Sequence, residues 1–179
     1  MYQRHCVGKW GGVFDGGTDE AVDYYLQNNL KNILSFDNTN LAEFSNDKMK
    51  FISASLNSIN NFSISEEVDV QFNFELYENF ENFNLSLVLY SIHNEAIFNS
   101  ISPVMVLQKG KHFAKMIIPP NLLNTGIYKV RILFVNNSKS LFDFNDILMW
   151  EAIENEKREV DWYGKFIGLV RPQLKWELN

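Results

Sequence analysis

One strictly alternating stretch constrains the fold of this chain more than any other feature. In "EVDVQFNFELY" the apolar positions are Val68, Val70, Phe72, Phe74 and Leu76, and the residues between them are polar. Side chains of a β-strand point alternately to the two faces of a sheet, so this spacing predicts a strand with one buried and one solvated face. The fold must therefore supply a second apolar layer to cover it.

The same period continues through the rest of the chain after residue 50. In "FNLSLVLYSIHNEAIFNS" the pattern predicts an inward row, a polar turn at residues 93–95 and a return strand. The inward row is Phe83, Leu85, Leu87 and Leu89. We predict further strands in "MKFISASL", "HFAKMII", "DILMWEAI" and "FIGLVRPQLKWEL". Many short strands with polar turns and little helix predict an all-β fold, an antiparallel β-sandwich of the immunoglobulin-like or jelly-roll kind.

Two adjacent prolines mark a strand end in "IIPPNLLNTGIYKVRILFV". Pro119 and Pro120 cannot donate a ladder hydrogen bond, so they should terminate the strand before them. The loop "NLLNTG" then carries the chain across an end of the sandwich, with Gly126 free to adopt a positive φ. The following strand should point four residues into the core: Tyr128, Val130, Ile132 and Phe134.

The N-terminal part has a helical period instead. Thr18 is a suitable N-cap, and Val22, Leu26, Leu30 and Ile33 recur at the spacing of one helix face. We therefore predict a short amphipathic helix in "TDEAVDYYLQNNLKNIL". The polar stretch that follows it is typical of a linker.

Composition excludes several classes of function. The chain has 179 residues, 46% of them hydrophobic, with a net charge of −6 and no lysine- or arginine-rich block, so we expect no nucleic-acid partner. Cys6 is the only cysteine, which excludes an intrachain disulfide and a cysteine-based zinc site. The N-terminus lacks the apolar run of a signal peptide, and we expect a cytoplasmic location.

The order of several elements resembles a known family. "MKFISASL", "FSISEEVDVQFNF", "LVLYSIHNEAIF", "IPPNLLNTGIYKVRI" and "GLVRPQLKWEL" follow one another as in the carboxy-terminal domain of Wzt-type ATP-binding subunits of polysaccharide ABC transporters. Upstream, "GGVFDGGTDEAVDYYL" is similar to the end of an ABC nucleotide-binding domain. The resemblance implies the tail of a nucleotide-binding domain at 1–35, a linker at 36–49 and a carbohydrate-binding sandwich at 50–179.

The resemblance also implies a function. Such a domain binds the non-reducing end of an O-antigen polysaccharide, often through a terminal modification, and so couples chain termination to export. It implies a homodimer, contact with the transporter membrane subunit through the full-length ATPase, and a place on the cytoplasmic face of the bacterial inner membrane. The cap remains open between a methyl group, a phosphate and an acidic sugar. The chain contains no G-x-x-x-x-G-K-[ST] phosphate loop, so we expect no ATP hydrolysis. We expect no cofactor, and no metal because the histidines lack His-x-His or His-x-x-x-His spacing.

Outward positions of the predicted strands provide the candidate ligand contacts. Amide and hydroxyl groups suit sugar hydroxyls, an aromatic ring covers the apolar face of a pyranose, and guanidinium suits an acidic cap. Trp150 and Trp176 fall within apolar strands, so we predict that both are core residues. The candidate carbohydrate-binding residues are Gln71, Asn73, Ser86, Tyr90, Lys129 and Arg131.

Each of these residues has a simpler interpretation as the solvated side of a half-buried strand. A rival function is a dimerisation or regulatory sandwich that never contacts sugar, because Val88, Ile117 and Leu133 also face outward. A glycosidase would need two carboxylates paired across a cleft, and nothing in the spacing of the available acids pairs them. These acids are Asp69, Glu75, Asp143 and Asp146. A serine hydrolase is excluded by the lack of a G-x-S-x-G elbow.

Overall fold

The structure is a computed structural model that describes residues 6–7, 13–14, 32–39, 44–59, 61–154, 166–172 and 174–177. The chain forms two compact units, Met1–Lys31 and Asn32–Asn179. None of the described residues belongs to a helix long and apolar enough to cross a membrane. The strands of the described ranges are β1 (Cys6–Val7), β2 (Val13–Phe14), β3 (Ser35–Asp37), β4 (Met49–Asn57), β5 (Val68–Leu76), β6 (Phe80–Ser91), β7 (Ala96–Ile101), β8 (Met105–Leu107), β9 (Gly110–Ile118), β10 (Gly126–Asn136) and β11 (Lys139–Ala152).

The first unit contains one described pair of strands, β1 and β2, which are antiparallel. The second unit contains two antiparallel sheets. One sheet, the β5 sheet, has the order β3-β4-β5-β9; the other, the β10 sheet, has the order β11-β10-β6-β7 with β8 also pairing with β6. The all-β prediction is therefore confirmed for the described residues, and the two sheets enclose one core.

The core consists of the inward rows that alternation predicted. Val70, Phe74, Val130 and Phe134 are at most 2% exposed. Aromatic rings join the two sheets: the Phe74 and Phe134 ring centroids are 5.2 Å apart, and those of Phe51 and Phe134 are 5.3 Å apart. Burying each such side chain contributes roughly 1.5–3 kcal/mol, so packing between the sheets supplies the main stabilisation.

The turns also follow the predicted chemistry. β9 ends at Ile118, directly before the two prolines, and β10 begins at Gly126. The β6–β7 turn lies where the polar residues 93–95 predicted it, with Asn94 in the left-handed region at φ 64°. Asparagine tolerates that conformation better than most residues, which accounts for its place in the turn.

The predicted N-terminal helix lies outside the described residues except at its end, and there the prediction is wrong. Ile33 forms an antiparallel bridge with Met149 of β11, with hydrogen bonds of 2.8 and 2.9 Å between their backbone groups. The Asn32 side chain also accepts a hydrogen bond from the amide of Glu151 at 3.1 Å. A residue that continues a helical period in sequence here satisfies its backbone groups in a sheet instead.

The stretch predicted as a linker contributes to the sandwich. β3 pairs with β4 from residue 35 to residue 37. Phe36 stacks on Phe51 with ring centroids 5.5 Å apart, and Phe44 packs edge-on against Phe144 at 5.1 Å. Phe36 and Phe44 therefore pack against the core. The sequence did not predict this, because their neighbours along the chain are polar.

The carboxy-terminal residues differ from prediction in one respect. Trp150 is fully buried as predicted, but the described residues of "FIGLVRPQLKWEL" form no strand, and Trp176 is 80% exposed. Residues 166–172 form instead an extended strap, attached by an isolated bridge between Leu123 and Val170. Pro172 lacks an amide donor, and Gly168 has a φ of 98°, so the segment cannot keep a regular ladder.

A buried asparagine fastens this strap. Asn124 is 2% exposed, and its amide nitrogen donates to the carbonyls of Phe166 at 2.7 Å and Gly168 at 2.8 Å. Its side-chain oxygen accepts from Arg171 Nε at 2.9 Å, and Arg171 forms an ion pair with Glu154 at 3.0 Å. Side-chain groups thus satisfy strap carbonyls that have no neighbouring strand.

Candidate functional site

The predicted ligand contacts lie on two opposite faces of the sandwich. Because the sheets pack through their inner faces, residues on the two outer faces cannot contact one small ligand together. The outer face of the β5 sheet carries Gln71 and Asn73, and the outer face of the β10 sheet carries Ser86, Tyr90, Lys129 and Arg131.

Strand register brings the second group together. Lys129 lies opposite Tyr90, and Leu133 lies opposite Ser86, with Arg131 between them on β10. Side chains directly opposite each other on antiparallel strands are roughly 4.5–5.5 Å apart at Cβ. These candidates therefore occupy neighbouring rungs of one surface, the β10 outer face.

Arg131 is already paired within this face. Its Nε and Nη2 donate to the two carboxylate oxygens of Asp143 at 2.8 and 2.5 Å, and its Nη1 donates to the Tyr90 hydroxyl at 3.4 Å. The hydrogen bonds to Asp143 raise the pKa of Arg131, and the same bonds lower the pKa of Asp143 below its usual value. The pair is charged and rigidly oriented at neutral pH.

Lys129 is enclosed in a similar way. Its ammonium group donates to Asn94 Oδ1 at 2.5 Å and lies 3.2 Å from the carboxylate of Asp146. The lysine is 7% exposed, which an ammonium group tolerates when a counter-charge and hydrogen-bond acceptors replace water. Asn94 and Asp146 both lie in the left-handed region, with φ of 64° and 52°.

An irregularity in β11 places these carboxylates. The register shifts between the Val130–Leu148 pair and the Ile132–Phe144 pair, so residues 145–147 stand opposite the single residue Arg131. Bulged residues leave the regular ladder and redirect their side chains. Asp146 lies in the bulge, and its side chain reaches back over β10 to Lys129.

Sequence reasoning missed the role of both aspartates at this face. The outward position of Asp143 can be predicted once the register of β11 is known, because Asp143 lies opposite the outward-facing Leu133. Asp146 had no local signal, since the bulge changes which residues face outward. Asn99 was also missed; it accepts a hydrogen bond from the Ser86 hydroxyl at 2.9 Å across the β6–β7 pair.

The outer face of the β5 sheet is polar as well. Asn73 donates to the Ser53 hydroxyl at 3.0 Å, and Lys115 forms an ion pair with Asp69 at 2.6 Å. Gln71 lies between Ser55 and Lys115 in the register. This face offers amides and hydroxyls on β4 and β5, but it has no counterpart of the arginine–tyrosine arrangement among the described residues.

A third feature is an apolar cleft at the open edge of the sandwich, between β9 and the β7–β8 segment. Its volume is about 440 Å³. Ile101 and Phe113, which line it, are 62% and 58% exposed. Its lining also includes core residues from both sheets, among them Phe72, Leu87 and Ile132. Among the described residues, no group of three or more histidine, cysteine, aspartate or glutamate side chains is placed to hold a metal ion.

Fold and surface together define a two-sheet β-sandwich domain with a hydrogen-bonded polar face. No family model and no curated protein match the sequence. Among solved structures, the carboxy-terminal domain of Wzt has the same fold, with a TM-score of 0.61 and 11% identity over 88% of this chain and 96% of that chain. The resemblance seen in the sequence is thus confirmed at the level of the fold.

Two partial matches concern enzymes. A β-glucuronidase of glycoside hydrolase family 2 matches 51% of this chain and 10% of its own length, with 16% identity and a TM-score of 0.41. A β-glucuronidase from Parabacteroides merdae matches 55% of this chain and 13% of its own length, with 17% identity and a TM-score of 0.39.

Proposed function

We propose that this chain is a noncatalytic glycan-binding domain that recognises the modified non-reducing end of an O-antigen polysaccharide and couples it to export by an ABC transporter. The observation that carries the proposal is the fold shared with the carboxy-terminal domain of Wzt over 88% of the chain. The order of sequence elements supports the same assignment. The proposed location is the cytoplasmic face of a bacterial inner membrane, in a homodimer joined to the membrane subunit through the ATPase.

The β10 outer face has suitable chemistry for this role. Asp143, Asp146 and Asn99 present oxygen acceptors, Ser86 presents a hydroxyl, and Tyr90 presents an aromatic ring. Mutual hydrogen bonds fix several of these groups, so little side-chain entropy is lost on binding. Each sugar hydroxyl exchanges hydrogen bonds with water for hydrogen bonds with the protein and gains little net free energy, so a single chain end should bind weakly. A dimer would compensate by raising the effective concentration of binding sites.

A matched pair of asparagines tests both the function and the face. Asn99 hydrogen-bonds to Ser86 on the β10 outer face, and Asn73 hydrogen-bonds to Ser53 on the β5 outer face. We expect the full chain to bind an O-polysaccharide in calorimetry, with Asn99→Ala weakening the binding about tenfold and Asn73→Ala leaving it within about twofold. Absence of binding to a panel of capped O-polysaccharides would refute the proposal.

A purely structural sandwich is the second candidate. The apolar cleft suits a protein interface as well as any ligand. Exposed apolar residues line it or lie next to it: Ile101, Val104, Val106 and Phe113. A chain that binds no glycan but whose self-association is lost on Phe113→Ser would favour this account. We propose no catalysis, since the outer-face carboxylates Asp143 and Asp146 each neutralise a cation.

A further inference from the structure

The charges of the β10 outer face restrict which chain end it can hold, if the proposed function is correct. Lys129 and Arg131 are the cations on this face of β10, and each is matched by one carboxylate. On the neighbouring strand β11, Glu151 lies opposite Ile127 of β10 and adds a further acidic group. The face therefore offers no surplus positive charge at the place where an acidic cap would need it.

Exposure separates the two signs further. The side chains of Lys129 and Arg131 are 9% and 30% exposed, whereas those of Asp146 and Asp143 are 56% and 36% exposed. A ligand that approaches the first pair thus meets the Asp146 carboxylate before the Lys129 ammonium, whereas Arg131 and Asp143 are almost equally exposed. Carboxylates accept hydrogen bonds from sugar hydroxyls, and they repel uronate or phosphate groups.

The cations are also committed in geometry. One edge of the Arg131 guanidinium, formed by Nε and Nη2, binds Asp143, and Nη1 donates to the Tyr90 hydroxyl. The ammonium of Lys129 lies between Asn94 and Asp146. An anion that bound either cation would have the paired carboxylate of Asp143 or Asp146 beside it as a like charge, which opposes its binding.

We propose that the glycan end held by the β10 outer face is a neutral sugar, such as an unsubstituted or O-methylated hexose, bound through Asp143 and Asp146 as hydroxyl acceptors. Lys129 and Arg131 act as positioning residues for these acceptors. The proposal rests on the proposed function and selects the neutral member from the caps that the sequence left open.

The test uses the full chain and an array of oligosaccharides that share one internal chain. Their non-reducing ends are neutral hexose or O-methyl hexose, uronic acid, or a phosphate monoester. The variants are Asp143→Asn and Asp146→Asn, each checked for folding by circular dichroism. Asp69→Asn is the matched control, because Asp69 pairs with Lys115 at 2.6 Å on the opposite outer face.

We expect binding to neutral ends, at least about tenfold weaker in both Asn variants and unchanged in Asp69→Asn. Each Asn variant should also gain affinity for phosphate ends, because a cation is released. If the unsubstituted protein prefers acidic or phosphate ends, the inference is wrong and the proposed function still stands. The same conclusion follows if the protein binds neutral ends and only Asp69→Asn weakens that binding. Binding to no end at all would refute the proposed function as well.

Discussion

The strap at residues 166–172 should depend on one buried side chain. Asn124 makes two neutral hydrogen bonds to strap carbonyls and accepts one charge-assisted bond from Arg171. Neutral bonds contribute about 1 kcal/mol each and charge-assisted ones about 2 kcal/mol, so Asn124→Ala removes about 4 kcal/mol before water compensates. We expect a net loss of about 3 kcal/mol in the free energy of unfolding, since the strap carbonyls regain water when the strap separates.

The assay combines two measurements. Urea unfolding followed by tryptophan fluorescence gives the free energy, and hydrogen exchange of the Arg171 amide reports the strap, because that amide donates to the Leu122 carbonyl at 2.8 Å. Asn82→Ala is the control; its side chain makes one exposed hydrogen bond, to Asn137 at 2.9 Å, and its loss should cost less than about 0.5 kcal/mol. If Asn124→Ala matches this control and Arg171 exchange is unchanged, the fastening role assigned to Asn124 is wrong.

Three further outcomes follow from the core and the titrating groups. Phe134 is fully buried, so Phe134→Ala should lower the free energy of unfolding by about 3–5 kcal/mol. Phe113 is 58% exposed, so Phe113→Ala should lower it by less than about 1 kcal/mol. Urea titrations of both variants measure the difference. Burial raises the pKa of Tyr128 from 10.0 to about 12, so the stabilisation from its neutral hydroxyl is fully present below pH 10 and is lost as pH rises toward 12. The free energy of unfolding, measured against pH, should fall by up to about 2.7 kcal/mol over this range. The Tyr128→Phe variant should lack this fall. The hydrogen bonds from Arg131 lower the pKa of Asp143, so the stabilisation from the ionised pair is present above the usual carboxyl pKa and is lost in acid. Because the pair is partly exposed, Asp143→Asn should remove less than about 1 kcal/mol of the stability change below pH 4. Acid titration followed by circular dichroism measures this difference.

Local pattern sufficed for much of the fold. Alternation at Val68–Leu76 and at the inward row of β10 depends only on which residues tolerate burial, and both strands have the predicted faces. Pro119 marked a strand end because its missing donor is a covalent property. Such features need no knowledge of partners distant in the chain.

The remainder depended on partners that a sequence does not reveal. Ile33 fits a helical period, yet it pairs with Met149, more than a hundred residues later. Phe36 lies among polar neighbours, and its contribution appears only when it stacks on Phe51. Trp176 occurs in an apolar run without a ladder to join, so composition alone misplaced it.

The candidate site shows the same division. The alternation of β6 and β10 predicted which residues point outward, but it could not predict that Gln71 and Asn73 belong to the other sheet. Asp146 required the bulge, and the bulge is a mismatch between two strands rather than a property of either one. The partner of Arg131 could likewise be read only from the register of β11.

The position of β9 has a consequence for how the domain behaves in concentrated solution. In the described part of the chain β9 pairs only with β5, so its nine residues present an open row of backbone donors and acceptors. Such a row is a template for fibril-like stacking of further chains. Lys111 and Lys115 place ammonium groups on this strand, where two copies would meet, and Lys115 is paired with Asp69 at 2.6 Å. We expect charged side chains on an edge strand to oppose such stacking. Neutralising both lysines would leave Phe113 and Ile117 on an uncharged strand, in the kind of sequence from which amyloid segments form.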